Sequence, residues 1–196
     1  MNAGFFKRLV SYFIDIILVS LIASIISMGI KTSAGKYQEE LADAMSNYMS
    51  GTITMEQYME KTNDLTYEIQ KRSVIPNTIS LVMTVGYFIV FQYLNKGQTI
   101  GKKLMKIKVV DNESGKEPGV GAFILRSIII LNIISSLFNI IFVNVLNKST
   151  FMTGTSAITW IEEAVLIISV IMILYRKDKR GLQDIVARTK VIEEVM

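Results

Sequence analysis

Four apolar runs, at residues 9–30, 74–94, 120–146 and 157–175, dominate this chain and restrict what it can become. A helix needs about 20 predominantly apolar residues to cross roughly 30 Å of hydrocarbon, and each run is near or above that length. Hydrophobic residues make up 51% of the 196 positions and charged residues 19%, so the charges must be segregated from the runs. The expected fold is an all-α membrane protein: a four-helix transmembrane bundle, one domain over residues 1–196, with no separate soluble unit. The first run follows Lys7 and Arg8 but exceeds the about 7–15 residue apolar core of a signal peptide and lacks a small-x-small cleavage site. It reads as a retained helix.

Lysine and arginine set the orientation. Segment 95–119 carries Lys96, Lys102, Lys103, Lys106, Lys108 and Lys116, and segment 176–196 carries Arg176, Lys177, Lys179, Arg180, Arg188 and Lys190. Both segments, and both termini, are expected in the cytoplasm. Connections 31–73 and 147–156 have no such excess and are expected outside. The net charge of +4 lies beside apolar spans, where anionic lipid head groups rather than nucleic acid are the expected partner. Within 31–73, Leu41, Met45, Tyr48 and Met49 recur at helical spacing, as do Met55, Tyr58, Met59, Leu65 and Ile69. Gly51 separates the two sets, and Thr54 with Gln57 has the form of a capping box. This predicts an extracytoplasmic helical hairpin. Inside, 105–111 alternates apolar and basic residues and 189–194 is β-prone, so the two are expected to pair as a small ribbon.

Polar residues within the runs are the candidates for chemistry. Asp15 sits about six residues into the first run, roughly 9 Å below the cytoplasmic edge, where an unpaired carboxylate is costly. Arg126 enters the third run to the same depth and is the expected partner. Asp184, after Gly181, either caps a short interfacial helix or accepts an ion pair from Arg8. On the third run Asn132, Ser135, Ser136 and Asn139 share an arc of about 100°, and Asn77, Ser80 and Thr84 form a similar stripe on the second. These stripes suit helix packing, or a cation path in which amide and hydroxyl oxygens replace water and a carboxylate supplies charge. Glu162 and Glu163 lie about one turn inside the outer end of the fourth run. They either snorkel to the outer interface or exchange a proton against a cation. Ser20, Ser24 and Ser27 on the first run read as close-packing residues.

Taken together, Arg8 and Asp15 in FKRLVSYFIDIIL, Gly97, Thr99, Gly101, Lys102 and Asp111 in GQTIGKKLMKIKVVD, then Arg126, then Asp184 in RGLQDIVARTKVI form an ordered set. That set resembles the RDD family of small membrane proteins, named for one arginine and two aspartates. The likeness covers all but the 31–73 segment. At Gln183 this chain departs from the family, which often has histidine there. The resemblance implies a multi-pass membrane protein; some members are associated with sodium/proton antiport, and others look like regulators or accessories of membrane proteins.

The chain has no cysteine and no histidine, which removes thiol nucleophiles, imidazole bases and the common zinc sites. No Gly-rich phosphate loop, HExxH, GxSxG or paired-aspartate metal motif occurs, so neither an enzyme nor a cofactor is expected, and any metal stays unassigned. The expected function is a small cation- and proton-coupled transporter of the cell membrane, or a subunit of one. Four helices are few to enclose a path, so a homo-oligomer is expected with it. The alternative is a non-catalytic adaptor or regulator that binds a partner membrane protein through the hairpin or the cytoplasmic face.

Overall fold

A computed structural model describes residues 1–194; the last two residues of the predicted cytoplasmic tail lie outside the described residues. The chain is mainly helical, with α1 over Phe5–Ser27, α2 over Ala34–Met49, α3 over Met55–Arg72 and α4 over Val74–Leu94. A short helix α5 (Ile100–Leu104) and strand β1 (Ile107–Asp111) follow, then α6 (Val120–Ile130), α7 (Ile133–Phe142) and the long α8 (Lys148–Tyr175). The described chain closes with α9 (Leu182–Val186) and β2 (Thr189–Glu193).

Three helices, α1, α4 and α8, are each long and apolar enough to cross a membrane, while α6 and α7 pass that test only as a pair, bent by 76°. The chain is a multi-pass membrane protein turned outward in composition. Along α1 the buried positions are Ser11, Asp15, Val19 and Ala23, a polar-to-small stripe at four-residue spacing. Phe13, Ile17, Leu21 and Ile25 on other faces are exposed. Small residues let helix backbones approach, and large apolar ones suit a lipid surround. Ser20 and Ser24, expected to pack closely, are instead exposed on α1, because the packed stripe runs through Ala23 and Val19.

Both termini meet at one end. β1 pairs antiparallel with β2, Val109 opposite Val191, and Asn2 bridges Ile192. The apolar cluster under this ribbon joins Ala3, Ile89, Ile107, Val109, Phe123 and Val191. At the opposite end α2 and α3 lie together: Tyr48 stacks on Tyr58 beside the Gly51 turn, and Arg72 donates to Ser33 at the far side. The Thr54–Gln57 capping box forms in both directions. Lys148 pairs with Asp64 and Phe151 packs on Tyr67, so α8 starts at this hairpin end and returns to the termini.

The expected spans shift in two places. The fourth is not confined to 157–175, because Asn147 caps a helix that begins at Lys148. Its side chain accepts the Thr150 N–H, and the residues before 157 extend the helix down to the hairpin. The third is not one rod over 120–146: Asn132 adopts a left-handed conformation, φ 49°, and breaks it. Asparagine tolerates that region better than other non-glycine residues, which is why an otherwise apolar run can turn there.

Candidate functional site

Two polar assemblies are built into the helices. The first lies at the terminal end and gathers the arginines and aspartates. Asp15, fully buried, accepts from the Tyr87 hydroxyl at 2.6 Å, the Thr99 hydroxyl at 2.5 Å and the Gly101 N–H at 2.7 Å. Tyr87 reaches it from a π-helical stretch of α4, Gly86–Phe91, a local widening that often marks functional positions. Gly101 is required by the approach itself: a Cβ there would meet the Ser11 carbonyl oxygen and come within 2.9 Å of the Asp15 carboxylate. Gly97 turns the preceding segment at φ +86°, beneath the Val109 carbonyl, where a side chain would collide with backbone.

Asp184, also fully buried, accepts from Arg8 Nη1 at 2.6 Å, from Arg126 Nη1, and from the Gly181 N–H at 3.0 Å. It therefore caps α9 and pairs with Arg8 at once, the two roles weighed from sequence. Burial alone pushes the Asp184 carboxyl up, but the Arg126 and Arg8 guanidiniums and the Gly181 N–H outweigh it and hold it below the usual carboxylate value. The expected Asp15–Arg126 pair does not form. Equal depth is not adjacency: Arg126 turns to Asp184 and the Thr189 hydroxyl, at 2.6 Å for the latter, while Asp15 turns to α4 and α5. Lys102 stands beside this group, its ammonium pushed down to about 8 by burial, against the pull of Asp15. Gln183 accepts from the Ser169 hydroxyl and so ties α9 to α8. Asp111 stands apart, organising its own turn through Ser114 N–H and hydroxyl contacts at 2.8 and 2.7 Å, which hold its carboxyl low.

The second assembly surrounds the break between α6 and α7. Breaking a helix in a membrane strands backbone groups that lipid cannot satisfy. Here each side finds a partner. The Tyr12 hydroxyl donates to the Ile130 carbonyl at 3.3 Å, and the Ser135 and Ser136 hydroxyls donate to the Asn132 carbonyl at 3.0 and 2.9 Å. Glu162 Oε1 accepts from the Ile134 and Ser135 N–H groups at 3.1 and 3.3 Å, while its Oε2 is buried without a hydrogen-bond partner among the described residues. Because α8 begins at Lys148, Glu162 and Glu163 lie not one turn from its first residue but roughly 20 Å along the helix. Glu163 is half-buried, within electrostatic reach of Tyr12.

Beside the break is a cavity of about 220 Å³, lined by Gln70, Asn77, Ser80, Thr84, Ser136 and Asn139 together with Leu81 and Leu131. The two expected stripes thus face each other. Asn139 also ties α7 to its neighbours, donating to the Ser135 carbonyl and accepting from the Thr155 hydroxyl of α8. Of the candidates for an ion path, Ser136 and Asn139 line this cavity; Asp15 lies in the other assembly, and Asn132 and Glu162 shape the break next to it. Sequence reasoning missed Tyr87, Thr189 and Gln70. Extending the Asn77–Thr84 spacing back by seven would have found Gln70; nothing in the sequence marks the other two.

The fold and these assemblies define a multi-pass helical membrane protein with a buried arginine–aspartate network uniting its two ends of sequence. The RDD family matches residues 2–188, nearly the whole chain, and this protein belongs to it. It is also 27% identical over 190 residues to uncharacterized protein YxaI of Bacillus subtilis (strain 168), covering 97% of this chain and 96% of that one. No solved structure matches.

Proposed function

We propose that this RDD-family protein is a proton-coupled cation carrier of the cell membrane, acting as a homo-oligomer or as a subunit of a larger assembly, with both termini in the cytoplasm. The observation that carries the reading is Glu162: a carboxyl near the middle of a membrane-crossing helix, buried, with one oxygen held by two backbone N–H groups and the other unpartnered among the described residues. Ionisable groups at that depth are costly and mark ion or proton pathways. The α4–α7 cavity gives the route, its amides and hydroxyls replacing hydration from Gln70 at the hairpin end to Leu131 at the break. Protonating Glu162 weakens its hold on the Ile134 and Ser135 N–H groups, since a charged acceptor makes the stronger bond. Occupancy is thereby linked to the angle between α6 and α7. The arginine–aspartate network is read instead as an anchor, since all four oxygens of Asp15 and Asp184 already accept hydrogen bonds.

The test is proton movement in proteoliposomes under an imposed sodium or potassium gradient. Wild-type protein is expected to move protons, and Glu162→Gln to lose this while remaining folded, because its amide oxygen can still accept from Ile134. Absence of flux from the wild type under every gradient would overturn the reading for the isolated chain.

A second reading, an adaptor for a partner membrane protein, has its own support in the hairpin, where Met45, Met49, Met55 and Met59 are exposed. Methionine-rich surfaces adapt to many partners. Loss of partner capture in a Met49→Lys, Met55→Lys double variant that still folds, together with no flux from the wild type, would favour it.

A further inference from the structure

A second cavity, about 320 Å³, opens between α1, α6 and α8 next to the arginine–aspartate network. Its walls are apolar: Leu9, Phe13, Ile130, Leu166 and Val170 among them. Its terminal end is cationic, because Arg8, Lys102 and Arg126 all line it. The shape is that of a groove with a charged head and an oily body. Leu166 lies nine residues before Tyr175, so the apolar part runs roughly 13 Å into the membrane from the end of α8.

The charges at the head do not cancel. Arg8, Lys102 and Arg126 face Asp15 and Asp184, leaving one positive charge over. Lys102 makes no ion pair among the described residues; its ammonium is 3.4 Å from the Thr99 hydroxyl and 5.9 Å from the centre of the Phe88 ring. Arg8 keeps a buried donor, Nη2, with no hydrogen-bond partner among the described residues, although its other nitrogens are used by Ala3 and Asp184 and its side chain is 10% exposed. A buried guanidinium donor left open beside an unpaired ammonium calls for an anion. The apolar walls say what carries that anion.

We propose that this groove is a binding site for an anionic phospholipid, whose headgroup phosphate completes the Arg8–Lys102 end while an acyl chain lies along Leu166 and Val170. The site differs from the α4–α7 cavity in elements, lining and charge, and it stands whether or not the protein carries cations. One lipid per chain couples α1 to α8 at the level where Asp184 joins α1 to α6 and Gln183 ties α9 to α8, which makes it a structural ligand of the network.

The probe is purified full-length protein in detergent, with phosphatidylglycerol, phosphatidylcholine and inorganic phosphate compared by native mass spectrometry and thermal unfolding. Retention of one phosphatidylglycerol per chain is expected, at least about tenfold preferred over phosphatidylcholine, the order expected of one charge-assisted contact. Lys102→Gln removes the free charge, and Leu166→Trp fills the apolar half without touching any charge. Each is expected to reduce that preference or retention roughly tenfold while keeping the unliganded melting point. Equal retention of both lipids overturns the proposal, as does unchanged binding in both variants. Stabilisation by inorganic phosphate that matches phosphatidylglycerol would show a free-anion site and overturn the lipid assignment.

Discussion

Asp184 shows how one carboxylate organises distant parts of the chain. Two guanidiniums and the Gly181 N–H converge on it, so removing it leaves buried positive charge without compensation. Asp184→Ala is expected to cost on the order of 3–5 kcal/mol, read as a fall in thermal midpoint in detergent. The pH dependence follows from the same contacts. Its folded value lies below the ordinary 3.8, so its stabilisation is complete above that value and is lost as pH falls through the lower folded one. The melting point should hold down to about pH 5 and fall below about pH 4, a fall that Asp184→Asn should flatten. Partner choice can be measured too. Arg126→Met and Asp184→Asn should couple in a double-mutant cycle, whereas Arg126→Met and Asp15→Asn should add, because Arg126 and Asp15 share no bond. At Gly101 the backbone of Ser11 leaves no space, and Gly101→Ala should lower stability by about 1–3 kcal/mol, the usual range for overpacking.

Among the elements, the broken third span is the most informative. Asn132 is the single left-handed position within it, so Asn132→Gly should be tolerated and Asn132→Leu should be destabilised by roughly 1–2 kcal/mol, the cost of that conformation for a side chain without the short polar group that lets asparagine adopt it. Little in the sequence announced the break, since no glycine or proline stands near Asn132 and the apolar pattern continues on both sides. The hairpin helices and the ribbon were more legible, because Thr54–Gln57 and the alternation of 105–111 are local signals that the local backbone obeys. Pairings across helices were not. Depth along a helix can be read from sequence, but rotation between helices cannot, and that is why Arg126 was placed opposite Asp15 while Tyr87 and Thr189 escaped notice. The same ignorance of helix starts put Glu162 about one turn into a run whose helix in fact begins nine residues earlier, at Lys148.

The whole molecule divides into a terminal end, where α1, α6 and α9 are tied through Asp184 and β2 through Arg126, and a bend nearer the hairpin, where Glu162 holds the start of α7. In the carrier reading the first anchors and the second moves. Cation carriage by this route requires water to reach the break through the α4–α7 cavity from the hairpin side. The cysteine-free sequence allows a direct measurement, in which single cysteines are exposed in intact cells to a membrane-impermeant thiol reagent. Cysteine at Ser50 in the hairpin turn should react and cysteine at Ser114 beyond β1 should not. The deciding positions are Thr84 and Ser136 on the cavity wall, with Ile17 on the exposed face of α1 as the control. Reaction at Thr84→Cys and Ser136→Cys with none at Ile17→Cys is the predicted result; silence at both cavity positions while Ser50→Cys reacts would contradict it.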